Sequence, residues 1–415
     1  MSWIEKYAFT RNPFSLEPVN PFSEGVNAFV DREYIKSVID DLSSVGSMRI
    51  MILSGIGEGK SSTINYAEYI AKKKGKKVLK IEIHGCKTVE DLVYHIIRRL
   101  RKKIKSTNPE ILKKLDYLDK KENLVEEESS NSIEKGTTLG LGIPVAKGEK
   151  DEKIEERKST KTVCFRSYQL LDEFKGVLSA LEPGIILIDD VDKIPPEIIP
   201  LFLQDFLSSI PIKHSIVVTG DEKTLQNPYL VSEYFKNLDQ VIPLEPIDSD
   251  KKLQEFIVGR MLVFSTRPNL IKELISKSAY AMLFDRTHGN IRESLRYLQT
   301  SMRIIKRNGA VDGGTMYRAI AETDKVKIDY LTSEQKEAII TLSVSEEFTI
   351  KDVEKILKLT RQKAVQLIDT FRQLNMVFLI KLGYRGKGGQ AVYIIPKTLS
   401  KILKGENSSS LQTFI

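Results

Sequence analysis

An apolar run that breaks off into alternating glycines leaves a chain few ways to fold. Here Met51-Ile52-Leu53-Ser54 leads into Gly55-Ile56-Gly57-Glu58-Gly59 and then Lys60-Ser61-Ser62. The run predicts a buried strand, the glycines a tight turn, and Lys60 the start of a helix, a succession that belongs to parallel α/β sheets. Gly57 and Gly59 let the backbone curl so that successive N–H groups face inward, a cradle for phosphate oxygens to which the helix adds the positive end of its dipole. The candidate ligands of ATP are therefore Gly55, Gly57, Gly59, Lys60, Ser61 and Ser62. Lys60 reaches the β- and γ-phosphates and Ser61 ligates Mg²⁺. The usual pattern has glycine five residues before Gly59, where this chain has Ser54. A glycine-rich turn with no ligand is the alternative, and it leaves Lys-Ser-Ser at the helix start unexplained.

With 415 residues the chain exceeds one ordinary core, and two or three domains are expected. A hydrophobic content of 41% and a charged content of 29% are those of a soluble globular protein. No run approaches the ~18 apolar residues of a membrane span, and the N-terminus lacks a signal-peptide core, so the expectation is a cytoplasmic protein with no membrane partner. Cys86 and Cys164 are too few for a disulfide framework, and His84 beside Cys86 has no second pair to complete a zinc site. The net charge of +8 points to a polyanion, provided the excess is concentrated.

Residues 1–30, with Asn12-Pro13-Phe14 and Asn20-Pro21-Phe22, read as an extended arm anchored by its phenylalanines. Helical spacing of Ile35, Val38, Ile39 and Leu42 predicts a helix from Asp31 to about Leu42. After the glycine turn a helix to about Lys74, a strand at Val78–Ile83 and a basic amphipathic helix from about Val89 to Ile104 continue the α/β alternation. Residues 121–160 break it with solvated low-complexity runs around the more apolar Leu139–Val145, and read as a mobile insertion with a hairpin or as plain disorder. A helix at about Tyr168–Leu181 precedes Gly184-Ile185-Ile186-Leu187-Ile188-Asp189-Asp190-Val191-Asp192, the pattern of a buried parallel strand delivering carboxylates to the ligand edge of its sheet. Asp189 is the candidate Mg²⁺ ligand, and Asp190, with Lys60, the candidate catalytic pair, Asp190 polarising the attacking water. A further strand, Ser215–Asp221, ends in Thr219, a candidate sensor of the γ-phosphate, and in Asp221, which reads equally as a helix cap.

With these strand ends in order, the chain resembles the AAA+ ATPases, and within them the archaeal and eukaryotic origin-recognition and replication-initiator family, over roughly residues 28–400. Phe29-Val30-Asp31-Arg32-Glu33 is similar to the box that precedes the family's first helix, and Asp189-Asp190-Val191-Asp192 to its Asp-Glu-hydrophobic-Asp signature, with Asp190 in the place of the usual glutamate. That substitution implies slow hydrolysis, suited to a switch. Gly289-Asn290-Ile291-Arg292 is similar to the Gly-x-x-Arg box of the family's helical lid, which implies that Arg292 meets the terminal phosphates. The apolar stripe Ile291, Leu295, Leu298, Met302 and Ile305 is the expected lid core, and pairing of Arg292 with a nearby acid is the plainer alternative. The resemblance implies a P-loop AAA+ domain at 31–247, a parallel sheet with helices on both faces; an all-α lid at 248–328; a winged helix at 329–400; and a tail at 401–415. In two respects the chain departs from the family: Tyr229–Gln240 holds no arginine finger, only Lys236, and the 121–160 insertion is not part of the initiator core. The missing finger argues against hydrolysis at a subunit interface unless another residue serves, and the insertion leaves room for a protein partner; a homo-oligomer stays open.

Leu331–Ile395 reads as three helices, Glu334–Leu342, Ile350–Leu357 and Arg361–Leu374, the last capped by Thr360, followed by strands Phe378–Tyr384 and Ala391–Ile395 around a glycine-rich turn. That order is a winged helix. Ala364, Val365, Ile368, Phe371 and Leu374 are the expected core face of the third helix, leaving Arg361, Gln362, Lys363 and Gln366 for a major groove, with Arg385 and Lys387 at the wing tip. From Lys358 to Lys397 eight basic residues face the single acid Asp369, which concentrates the charge excess on one module and points to double-stranded DNA. The leading reading is an ATP-binding, slowly hydrolysing nucleotide switch that binds duplex DNA. Two others stand beside it: a transposition-helper or plasmid-maintenance adaptor ATPase, and a STAND-type signalling NTPase whose winged helix binds no DNA.

Overall fold

The computed structural model describes residues 3–24, 33–44, 47–55, 57–83, 88–104, 109–118, 170–194, 199, 202–221, 238–271, 273–305, 309–381 and 391–405. The initiator-like box before the first helix, the 121–160 insertion, Lys236, both cysteines and the wing tip with Arg385 and Lys387 fall outside these residues, Glu33 of the box excepted. The chain divides into two units, one of Arg32–Gly55 and Lys60–Leu244, the other of Met1–Asp31, Ile56–Gly59 and Glu245–Ile415.

The first unit is built on strands β1 (Arg49–Leu53), β2 (Lys77–Glu82), β3 (Gly184–Asp189), β4 (Ser215–Gly220) and β5 (Gln240–Pro243), paired in the order β2-β3-β4-β1-β5. Every pairing is parallel. This is the α/β architecture that the sequence implied. A parallel strand covered on both faces buries its side chains on either side and favours apolar ones, and β3 and β4 accordingly bury Ile185–Ile188 and Ile216–Val218, with Ser215 and Thr219 buried at the two ends of β4. Helices α1 (Glu33–Ser44), α2 (Lys60–Lys73), α3 (Val89–Ile104), α4 (109–118) and α5 (170–180) accompany the sheet. Ile96, Ile97, Ile111, Leu115, Phe174 and Leu178 join Ile186 and Ile188 in one core, with Phe174 stacked on Phe206 at 5.9 Å. The outcome of this packing is a sheet whose β1, β3 and β4 end side by side, where the charged residues of each strand end collect.

The second unit opens with the arm. Asn12 and Asn20 each accept the backbone N–H two residues on, at Phe14 (2.9 Å) and Phe22 (3.1 Å). Only Phe14 is an anchor: it is wholly buried, whereas Phe22 is 51% exposed, so identical tripeptides have different fates. The reason is tertiary. The Arg260 guanidinium of helix α6 (Asp250–Phe264) donates to the carbonyls of Pro13 (2.5 Å) and Ser15 (3.1 Å), holding the first tripeptide against the helical region.

Helices α7 (Lys277–Thr287), α8 (Ile291–Ile304) and α9 (Gly313–Asp329) complete this all-α region. Each begins where the sequence supplies a cap: Ser276, Asn290 and Asp312 accept the N–H of the third helical residue. Leu295, Leu298 and Met302 are buried as the α8 stripe required, while Ile291 is half-buried and Ile305 lies just past the helix.

The C-terminal module follows as α10 (Ser333–Leu342), β6 (Phe348–Thr349), α11 (Ile350–Leu357), α12 (Arg361–Gln373), β7 (Phe378–Lys381), β8 (Val392–Ile394) and α13 (Lys397–Leu403). Its antiparallel sheet has the order β6-β8-β7. Thr332 with Gln335 and Thr349 with Asp352 form capping boxes at α10 and α11. Thr360 stands at the N-cap of α12, but its side chain makes no capping bond. One expected core residue is not one: Ala364, Ile368 and Phe371 are buried, whereas Val365 is 40% exposed. Among the described residues no helix is long and apolar enough to cross a membrane.

Candidate nucleotide site and nucleic-acid interface

At the C-terminal ends of β1, β3 and β4 the first unit gathers one ammonium and several carboxylates. Lys60, 8% exposed at the start of α2, donates to the carbonyls of Ser54 (2.9 Å) and Gly55 (3.2 Å), which folds the loop back on its own lysine. Ser54 fits where glycine was expected, because the positive φ angles of the loop fall at Gly57 (90°) and Gly59 (100°). Its side chain is fully buried and turned onto the Gly55 carbonyl at 3.1 Å. Ser61 and Ser62 follow Lys60 in the first turn of α2, both half-buried.

The acid pair is held by Thr219. The Thr219 hydroxyl donates to Asp189 Oδ1 at 2.5 Å and accepts the Asp190 N–H at 3.0 Å. Both partners are brought to it by register, since Ile188 of β3 stands opposite Val218 of β4. With no exposed surface, Thr219 acts on the acids beside it.

Asp190 adopts left-handed backbone angles (φ 65°, ψ 42°) at the head of the short turn Val191–Lys193. Aspartate tolerates that region better than most L residues because its short side chain bonds locally. Its partner is Lys193, at 2.5 Å, on a pair that is partly exposed. The backbone thus gives a physical reason for aspartate at this position.

Asp192, legible beforehand only as the last acid of its motif, is the third acid of the cluster. Its Oδ1 is buried with no hydrogen-bond donor among the described residues. Burial pushes its carboxyl above the ordinary value; Lys60 opposes this, while Asp221 and Asp190 add to it. An unsatisfied buried carboxylate oxygen, the Asp189 carboxylate and the Ser61 hydroxyl are hard oxygen donors of the kind Mg²⁺ takes, so the donor set fits that ion.

The glycines at the tip of the loop belong to the second unit, with the α8 start. The Gly57 carbonyl accepts the Arg292 N–H at 3.1 Å. A Cβ at Gly57 would lie 2.7 Å from Arg292 Cβ and 2.8 Å from Asn290 Oδ1, whereas one at Gly59 would meet nothing within 4 Å. Asn290 is a residue the sequence left without a site role. Its amide oxygen caps α8 through Glu293 N at 3.1 Å. The Arg292 side chain itself is exposed.

On α12, Arg361, Gln362, Lys363 and Gln366 are all exposed, and Val365 lies among them. Arg372, by contrast, is turned to its own module, 6.0 Å over the Tyr393 ring. Lys358 is exposed in left-handed backbone (φ 52°) where α11 ends.

No family model matches the chain, and no curated protein matches its sequence. Solved structures do. The chain is similar to Cdc6p from Pyrobaculum aerophilum (14% identity, TM-score 0.44, 98% of this chain and 100% of that one). It is also similar to the Orc1 protein of Aeropyrum pernix, solved in complex with DNA (13%, 0.44, 96% and 97%), and to a Walker-type ATPase of Pyrococcus abyssi (13%, 0.49, 94% and 99%). At such identities and TM-scores the likeness assigns no property to this chain.

Proposed function

We propose that the chain is an AAA+ ATPase of replication-initiator type: it binds ATP at the phosphate loop, hydrolyses it slowly, and grips duplex DNA through its winged helix in a nucleotide-dependent manner. The observation that carries this reading is the strand-end cluster, in which one threonine holds the carboxylate of Asp189 and the backbone N–H of Asp190 beside a buried lysine of a glycine loop. In this reading Lys60 leaves the Ser54 and Gly55 carbonyls for the β- and γ-phosphates, exchanging two neutral acceptors for charged ones. Ser61 and Asp189 would hold Mg²⁺, which would supply neutralising charge to the transferred phosphoryl. Asp190 orients the attacking water once Lys193 releases it, and Thr219 keeps both acids in register. Arg292 supplies the second cation from the helical region. Slow turnover follows from an acid that is one methylene short and already paired.

The recognition face supports duplex DNA as the partner. Arg361 suits the guanine edge, Gln362 and Gln366 the adenine edge, and Lys363 and Lys358 the phosphates. The test is ATP uptake by the full chain and DNA affinity with ATP and with ADP. Lys60→Ala removes charge-assisted bonds of about 1.5–3 kcal/mol, so ATP affinity should fall about 10- to 150-fold. No saturable ATP binding, or no salt-dependent DNA binding, would defeat the reading.

A further inference from the structure

Between α7 and α8 the segment Asp285–Arg292 divides its contacts between two neighbours. Asp285 Oδ2 accepts both the N–H (2.8 Å) and the hydroxyl (2.6 Å) of Thr398, at the head of α13. Arg286, wholly buried, donates Nη1 to the Asn375 carbonyl at 2.7 Å. That carbonyl belongs to the turn, with Asn375 at φ 54°, in which α12 ends. His288 lies 5.2 Å from the Phe378 ring of β7. All three contacts reach the winged helix. The next residues turn the other way: a Cβ on Gly289 (φ 76°) would stand 1.9 Å from the Ile247 carbonyl, so only glycine passes there. Asn290 and Arg292 then meet the tip of the phosphate loop. No residue between the two sets is left as slack.

Behind this corner lies a buried charge cluster. The Arg286 fork gives Nε and Nη2 to the two oxygens of Asp324, at 2.6 and 2.9 Å. Tyr297 donates to the same carboxylate at 2.5 Å. Lys327 pairs with Glu293 and lies 3.5 Å from Asp324, and Arg296 closes on Glu293 at 2.7 Å. Glu293 is in the first turn of α8, next to Arg292. The same acid that holds Arg286 is thereby tied, through one lysine, to the turn that touches the phosphate loop.

We propose that Arg286 is a positioning residue that welds the helical region to the winged helix, so that displacement at the phosphate-loop end of α8 reaches the recognition helix without a hinge between them. The residue must be arginine: two donors clamp Asp324 while a third holds a backbone carbonyl, and an ammonium lacks that fixed fork. The inference rests on the proposed ATP-dependent DNA binding, and specifies where the coupling passes.

The experiment measures duplex-DNA affinity of the full chain with ATP and with ADP; the ratio of the two is the coupling, commonly about 5- to 150-fold where a switch exists. Two variants are compared with the unaltered chain. Arg286→Lys keeps the charge and loses the fork, and Asp285→Ala, on a half-buried residue, cuts the Thr398 link and serves if the first fails to fold. Both should bring the ratio to within about threefold of unity, while ATP affinity and DNA affinity with ADP stay within about threefold of the unaltered chain. Variants that fold and keep the full ratio overturn the inference and leave the proposed function standing. An unaltered chain whose DNA affinity ignores nucleotide removes both.

Discussion

Replacing Gly57 by alanine separates the contact made by the loop tip from the strain of its backbone, because Gly59 offers an internal reference. Both glycines have positive φ, 90° and 100°, so either alanine incurs the left-handed penalty of about 1–2 kcal/mol. At Gly59 that is the whole effect on the packing of the protein itself, since the new methyl meets no protein atom within 4 Å. At Gly57 the methyl also enters space held by Arg292 Cβ, at 2.7 Å, and Asn290 Oδ1, at 2.8 Å, and overpacking of this kind adds about 1–3 kcal/mol. The substituted loop escapes by leaving its phosphate-holding form, so the cost appears as lost ATP affinity. Titration with a fluorescent ATP analogue should show a loss of about 5- to 30-fold for Gly59→Ala and about 30- to 5,000-fold for Gly57→Ala. Equal losses would refute the contact between the loop tip and the start of α8.

Lys193→Met frees Asp190 from a partly exposed pair worth up to about 1 kcal/mol, so steady-state phosphate release should rise up to about fivefold; a fall would mean that Lys193 serves the reaction directly. Val365 lies among the exposed polar residues of α12, and in the proposed DNA complex it would read a thymine methyl; once a preferred site is known, replacing its contacted thymine by uracil should weaken binding about fourfold, at ~0.8 kcal/mol per buried methyl, and Val365→Ala should erase that difference. His214 and His288 are both lowered by burial, against the Leu178 carbonyl for the first and Asp285 for the second. A depressed histidine contributes stability present in full above its unfolded value and lost as pH falls toward the folded one. Stability should therefore fall as pH drops below about 6.5, by at most about 1.4 kcal/mol per pH unit for each group, which a falling thermal midpoint reports, and His214→Gln should flatten the slope.

The strand, glycine loop and helix around Lys60, the acid-ended strand and the helix caps were legible because each is a local pattern: apolar run, glycine, then charge, or a small polar residue ahead of a periodic stripe. What register and tertiary packing decide was not. Thr219 reads as a phosphate sensor on β4 alone, and only the pairing of β3 with β4 brings its hydroxyl between Asp189 and Asp190. Val365 follows Ala364 by 100° around α12, close enough to be drawn into the core stripe by periodicity, yet the module buries only the narrower set Ala364, Ile368 and Phe371. Arg286 gave no signal at all, its carboxylate partner standing 38 residues away and its carbonyl partner 89. Asp192 was visible within its motif, but its role needed the buried oxygen to be seen.

The bond from Arg260 to Pro13 joins residues 247 apart, and it has a consequence for biogenesis. At about 5–20 residues per second, the opening segment leaves the ribosome roughly 12–50 s before its guanidinium partner is made. Every strand of the parallel sheet is already translated by then, whereas the Pro13 and Ser15 carbonyls still await their donor. The segment around Pro13 thus docks only after the sheet is made, and during that interval a chaperone that holds it would have its client.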